Sequence, residues 1–325
     1  MKITIVGGAG CVGSSVAFRL AQDGYASEIV LVDTRHNLAE AHALDIDQAV
    51  VHRSKTRVRA GDTADTANSD IVIAAVDAPG RPPITSRGMS LGANLKLMVE
   101  VVGPLAKGSP SALWMIITNP VDVLVFLMHR IFSIPRNKII GMNRNDTSRL
   151  RWAVANLFSV PATDVDGYVL GEHGDSQVHV LSQVKIGGEK IALSAEQRDE
   201  IRLSALEFLP RWLKLQPGRT AGWSTAESAG DIISSMALGD GRVWVCSVPV
   251  EGEYGLTDVS LGVPVRLGRQ GVKEIVELDL EPAEKEGLLA SAEKIRGKIE
   301  EGRSILRETL RTMEEMAEAL KGKKV

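Results

Sequence analysis

Short apolar runs and longer stretches of helical spacing alternate through the first 140 residues of the chain. Ile3–Val6, Ile29–Val32, Ile71–Val76, Leu113–Ile117 and Lys138–Ile140 are continuous and apolar, as expected of strands buried on both faces. Between them, Ser14–Asp23, Leu38–Val51, Ser90–Leu105 and Val121–Phe132 repeat apolar positions at helical intervals. Strand–helix alternation of this kind predicts an α/β fold, a Rossmann-like doubly wound parallel sheet with helices on both faces. Any ligand crevice then lies outside the carboxyl ends of the strands.

Beyond residue 143 the alternation changes character. A helix over Thr147–Phe158 precedes strand-like Asp166–Leu170 and Val178–Ile186. Helical spacing returns over Ser194–Leu215, followed by strand-like Val243–Val248 and Glu274–Leu278 and by one long charged helix, Pro282–Lys321. The expected organisation is a dinucleotide domain, 1–143, and a mixed α/β substrate domain, 144–325.

Composition narrows the class. The 325 residues are 44% hydrophobic and 24% charged, which suits a globular protein with a substantial core. A formal charge of -3 supplies no global basic field for nucleic acid or an anionic membrane. The local cluster Arg53, Lys55, Arg57 and Arg59 reads as the solvated flank of a strand. Cys11 and Cys246 are too few for a disulfide framework and show no metal spacing. No apolar run is long enough to span a bilayer, and Met1 leads straight into Ile3–Val6 without a secretory leader. The cytoplasm is the expected compartment.

Candidate chemistry begins at the first strand–helix junction. Gly8, Gly10 and Gly13 form G-x-G-x-x-G, with Cys11 and Val12 between the last two. Glycines there permit a tight turn and close approach of a pyrophosphate to a helix amino terminus. The next strand is followed by Asp33, twenty residues after Gly13, where a carboxylate can accept hydrogen bonds from ribose hydroxyls and repel a 2′-phosphate. NAD is favoured over NADP, although Arg35 softens that preference.

Four further stretches carry reactive groups. Gly171-Glu-His-Gly-Asp-Ser176 places His173 among small residues at a strand end, with an unperturbed pKa of about 6.5. In Asn145-Asp-Thr-Ser-Arg149, Asp146 extends the apolar stripe of its helix and Arg149 sits at its edge. Such a pair is either a buried ion pair or the edge of a polar site. Gly80–Gly88 carries Arg81 and Arg87 on a Pro-rich loop, read as a lid or as a solvated loop. Ile117 and Thr118 lead into Asn119 at another strand end, an Asn-Pro turn with or without a role in binding.

In this order, these stretches resemble the lactate/malate dehydrogenase family, over residues 1 to about 280. The resemblance implies His173 as general acid/base, Asp146 as its partner and Arg149 as a carboxylate clamp. Asn119 falls at the family's substrate- and cofactor-contacting asparagine, and Asn94 at its cofactor-contacting asparagine after the lid. Arg87 falls at the carbonyl-polarising arginine, and Arg81 at the specificity position, where malate enzymes carry arginine and lactate enzymes glutamine. The implied protein is an NAD-dependent malate dehydrogenase of the lactate-dehydrogenase-like branch, a homotetramer or homodimer. Activity on lactate or another 2-hydroxy acid, and a non-catalytic NAD-binding role, are the alternatives. Departures from the family pattern fall at Ile84-Thr85, at Val76–Pro79, at Met89 and at Asn145, and Ala221 is the nearest match to a substrate-wall residue.

Overall fold

The computed structural model describes residues 1–79 and 91–321. Arg81 and Arg87 lie outside the described residues. The first half contains β1 (Lys2–Val6), α1 (Cys11–Asp23), β2 (Glu28–Val32), α2 (His36–Ala49), β3 (Arg57–Ala60) and β4 (Ile71–Ala74). It continues through α3 (Leu91–Gly108), β5 (Leu113–Ile116), α4 (Val121–Ile131) and β6 (Ile139–Gly141). These six strands are parallel, in the spatial order β3-β2-β1-β4-β5-β6. The apolar runs are continuous because both faces are covered: Ile3, Ile5, Ile29, Leu31, Ile71, Ile73, Met115 and Ile116 are fully buried. The winding reverses between β1 and β4, which opens a crevice beyond their carboxyl ends.

The second half contains α5 (Arg144–Phe158), the short strands β7 (Val165–Asp166), β8 (Val169–Leu170), β9 (Val178–His179), β10 (Lys185–Ile186) and β11 (Glu189–Lys190), then α6 (Ala195–Leu206) and α7 (Phe208–Lys214). There follow α8 (Trp223–Leu238), β12 (Val243–Glu251), β13 (Thr257–Gly268), β14 (Gly271–Ile275) and α9 (Pro282–Lys321). β12 pairs antiparallel with β6, and β13 and β14 extend the sheet to nine strands. One core therefore includes residues from both halves, from Ile3 to Ile299. A smaller core lies among α5, α6 and the short strands, around Leu150, Val154, Val165, Leu181 and Ile201.

Several predicted elements differ in extent. α1 begins at Cys11 rather than Ser14, because its first turn is built from backbone around Gly10 and Gly13 and carries no apolar period. The stretch Asp166–Leu170 breaks into β7 and β8 at Gly167, and Val178–Ile186 breaks into β9 and β10 around a short 3-10 turn. The helical stretch 194–215 divides at Glu207; Pro210 is accommodated in the first turn of α7, where no intrahelical N–H is needed. Two elements carry no strong sequence signal, α8 and β13. α8 is rich in Ser, Ala and Gly, and those small residues let it lie close on α1, with Gly230 against Arg19. β13 contains Gly262 and Pro264, which mask its strand character, yet it is buried along most of its length. Of the basic cluster, Arg57 and Arg59 lie in β3, where Arg59 pairs with Glu28 and Asp65 and Val58 is buried, while Arg53 and Lys55 precede the strand.

Candidate active site

The crevice begins at the turn after β1. Gly7 has φ +86°, and a Cβ there would sit 2.4 Å from the Ala75 carbonyl oxygen. A Cβ on Gly8 would lie 2.8 Å from Leu31 Cβ, and one on Gly13 only 2.2 Å from the Gly7 carbonyl oxygen. The turn is thus compressed between β1, β2 and α1. Gly10 is the N-cap of α1 and no side chain caps that end, so the first-turn N–H groups of Cys11, Val12 and Gly13 are available to an anion. Asp33 closes the other side. Its Oδ2 accepts from the Ala9 N–H at 3.1 Å, and its Oδ1 accepts from the Arg35 N–H at 3.0 Å and Nε at 3.3 Å. The Arg35 charge is therefore spent on Asp33. Uncapped N–H groups, a cradle with no room for Cβ atoms and a carboxylate at its edge fit a dinucleotide.

The ends of β4 and β5 supply the next group. Ile117 N–H donates to the Ala74 carbonyl at 2.8 Å, and the buried Thr118 hydroxyl donates to the Val76 carbonyl at 2.8 Å. The Asn94 amide, fully buried on α3, accepts from the Ala78 N–H at 2.9 Å and donates to the Asn119 carbonyl at 2.7 Å. One side chain thereby joins three segments. Asn119 precedes Pro120 through a cis peptide bond. Its Oδ1 is buried without a hydrogen-bond partner among the described residues, a cost that a bound donor would offset.

The loop after β8 brings in His173. Its Nδ1 is 2.5 Å from Oδ2 of Asp146, which stands in the first turn of α5. Oδ1 of Asp146 accepts from Nη1 of Arg149 at 2.6 Å, and the Arg149 guanidinium lies 4.4 Å over the Phe208 ring. All three side chains are largely withdrawn from solvent. An ionised Asp146 makes Nδ1 the protonated nitrogen in the neutral imidazole, so Nε2 is the ring nitrogen left without a proton. The polar Asn145 beside this cluster is satisfied: it donates to Thr225 Oγ1 at 3.1 Å and accepts from Ser228 Oγ at 2.6 Å, tying α5 to α8.

Three residues without a sequence assignment complete the arrangement. Gly7 makes the turn; its sign was only an extra glycine before the motif. Asp122, in the first turn of α4, accepts the His173 backbone N–H at 2.7 Å. Burial pushes the Asp122 carboxyl up to about 7, against the pull of the neighbouring Ser247 hydroxyl and the His173 N–H; the charges of Glu172 and Asp146 push it the same way. Glu172 is buried yet ionised. Burial alone would raise its carboxyl, but Lys298, Ser176 and Lys294 outweigh that and hold it at about 2. Ser176 Oγ donates to Glu172 at 2.6 Å, Lys294 lies at 3.0 Å, and Lys298 pairs with the other oxygen. The signs of both acids were their neighbours, Asn119 and His173.

The comparisons with known proteins then decide the family. The NAD-binding domain of lactate/malate dehydrogenases matches residues 1–141, and their α/β C-terminal domain matches residues 144–306. The chain belongs to the lactate/malate dehydrogenase family. As a member, it is an NAD-dependent dehydrogenase acting on a CH–OH donor. It is 35% identical over 303 residues to a malate dehydrogenase of Halobacterium salinarum, covering 92% of this chain and 99% of that one. It is 32% identical over 312 residues to an L-lactate dehydrogenase of Clostridium perfringens, covering 92% and 96%. The crystal structure of Cryptosporidium parvum malate dehydrogenase superposes with a TM-score of 0.88 at 28% identity, covering 93% of this chain and 99% of that chain. Among the described residues no helix is long and apolar enough to cross a membrane.

Proposed function

We propose that this dehydrogenase interconverts (S)-malate and oxaloacetate. The His173–Asp146–Arg149 cluster supports chemistry on a 2-hydroxy acid. Arg81 is the observation that carries the choice of a dicarboxylate: a second cation pairs with a second carboxylate and would be left unpaired over a methyl group. NAD, which the glycine turn and Asp33 would hold, would supply the hydride acceptor for C2 of the alcohol and, as NADH, the hydride donor. His173 Nε2 takes the C2 hydroxyl proton in oxidation and delivers it in reduction, while Asp146 holds the ring and stabilises its charged form. Arg149 binds the carboxylate next to C2 through a planar fork. Arg87 polarises the C2 oxygen, and Asn119 Oδ1 accepts a hydrogen bond from substrate or nicotinamide.

Relatives named for malate and for L-lactate stand at similar identity, so lactate is the second reading. A panel of 2-oxo acids assayed with NADH and NADPH separates the two. Oxaloacetate is expected to give the highest kcat/KM, and a higher value for pyruvate would sink the malate assignment. Arg81→Gln is expected to lower oxaloacetate turnover about 100-fold while changing pyruvate turnover far less. We further propose a cytoplasmic homo-oligomer, tetramer or dimer. The solvent-facing Leu38 and Leu44 of α2 and Trp223 of α8 support it, and mass measurement in solution tests it.

A further inference from the structure

The segment between α7 and α8 carries a cation to the dinucleotide turn. Nη1 of Arg219 lies 3.4 Å from Sγ of Cys11, the first residue of α1. The contact stands at the solvent-exposed rim of a junction in which Gly222 is buried against Cys11. Cys11 Sγ also approaches the Thr220 carbonyl at 3.4 Å, and a Cβ on Gly222 would lie 3.0 Å from the Cys11 carbonyl oxygen.

Aromatic rings hold the guanidinium there. It lies 4.3 Å from the Trp223 ring centroid and 5.8 Å from that of Trp212, whose Nε1 donates to the Arg219 carbonyl at 3.1 Å. Trp212 in turn stacks on Phe208 at 5.9 Å, and Phe208 carries Arg149 on its ring. A continuous row of rings thus spans from the substrate cation to Arg219. Among the described residues, no carboxylate lies within ion-pair distance of Arg219.

Electrostatics makes this placement informative. The amino end of α1 has no acidic residue in its first turn and no side-chain cap, so it presents partial positive charge. A guanidinium held against that end without a counter-ion is repelled. An anion between the two reverses the sign of the interaction. We propose that Arg219 is a further cofactor-binding residue, pairing with the diphosphate of the dinucleotide at the amino end of α1. This rests on the NAD-binding assignment of the turn and is independent of which 2-oxo acid is reduced.

The test is calorimetric titration of the full chain with two probes, ADP-ribose, which carries the diphosphate, and adenosine, which does not. Arg219→Gln is expected to weaken ADP-ribose about fivefold to tenfold, leave adenosine within about twofold, and flatten the salt dependence of ADP-ribose binding. Arg219→Lys, which keeps the charge but loses the planar stacking, is expected to fall between. Equal ADP-ribose affinity in the folded Gln variant and the parent chain would overturn the proposal. An equal loss for both probes would do the same, because it reports damage to the turn. Should the Gln variant fail to fold, the Lys variant carries the comparison, and an unchanged salt slope together with full ADP-ribose affinity in it at every salt concentration overturns the proposal. A parent chain that binds neither probe removes the dinucleotide reading and this inference with it.

Discussion

His173 is held at two atoms from two directions: its ring by Asp146 of α5 and its backbone N–H by Asp122 of α4. In the proposed reaction its Nε2 exchanges the proton, and replacing it with asparagine removes that atom but spares the nucleotide turn. His173→Asn is therefore expected to lower kcat about 1000-fold while the NADH Kd changes less than twofold, measured by steady-state rates and fluorescence titration. Asp122 has a different signature. At the start of a helix the dipole favours a carboxylate by roughly 0.3–1 kcal/mol, and here burial outweighs it. The folded value of about 7 stands above the unfolded value of about 3.9. Between them the folded chain keeps a proton that the unfolded chain has released, so this group's contribution to stability falls as pH rises from about 4 to about 7. Asp122→Asn is expected to gain roughly 2–4 kcal/mol relative to the parent across that window; parallel curves in urea unfolding at the two ends would refute it. The cluster of His173, Asp146 and Arg149 was legible because each stands in a short motif of distinctive chemistry. Asp122 was not, since an acid in a helix's first turn ordinarily needs no further explanation.

At the scale of elements, the loop carrying His173 is clamped to α9. Ser291 Oγ accepts the Glu172 N–H at 2.8 Å, and Lys294 and Lys298 of the same helix meet the Glu172 carboxylate. The folded value of about 2 lies below the unfolded value of about 4.3, so the stabilisation is present above about pH 4.3 and is lost as pH falls toward 2. Glu172→Gln is expected to cost about 2–3 kcal/mol at pH 7 and progressively less below pH 4. Its kcat is expected to drop about tenfold with NADH affinity unchanged, because the clamp positions the loop and not the nucleotide. Thermal and kinetic measurements on the same variant check both halves. Element type was legible wherever burial produced a continuous apolar run or a clear apolar stripe, as in β1, β2, α4 and α9. It failed for α8, whose small side chains serve close approach, and for β13, whose Gly262 and Pro264 interrupt the pattern of an otherwise buried strand.

At the scale of the molecule, the nine-stranded sheet crosses from one half of the sequence to the other through the β6–β12 pairing. Its core draws on both halves, so neither can expose its share without the other. Thermal unfolding is expected to show one main cooperative transition by calorimetry and circular dichroism together, and two well-separated transitions would contradict this. The parallel half of the sheet was legible from alternation alone. The antiparallel extension was not, because a partner strand more than a hundred residues away leaves no local mark. The clamp on α9 also sets an order of events during synthesis. The glycine turn and Asp33 emerge from the ribosome early, but the core they stand on is completed only by the second half. His173 emerges midway, but the lysines that fix its loop follow more than a hundred residues later. Catalytic competence therefore waits on the last helix of the chain and is gained late in translation.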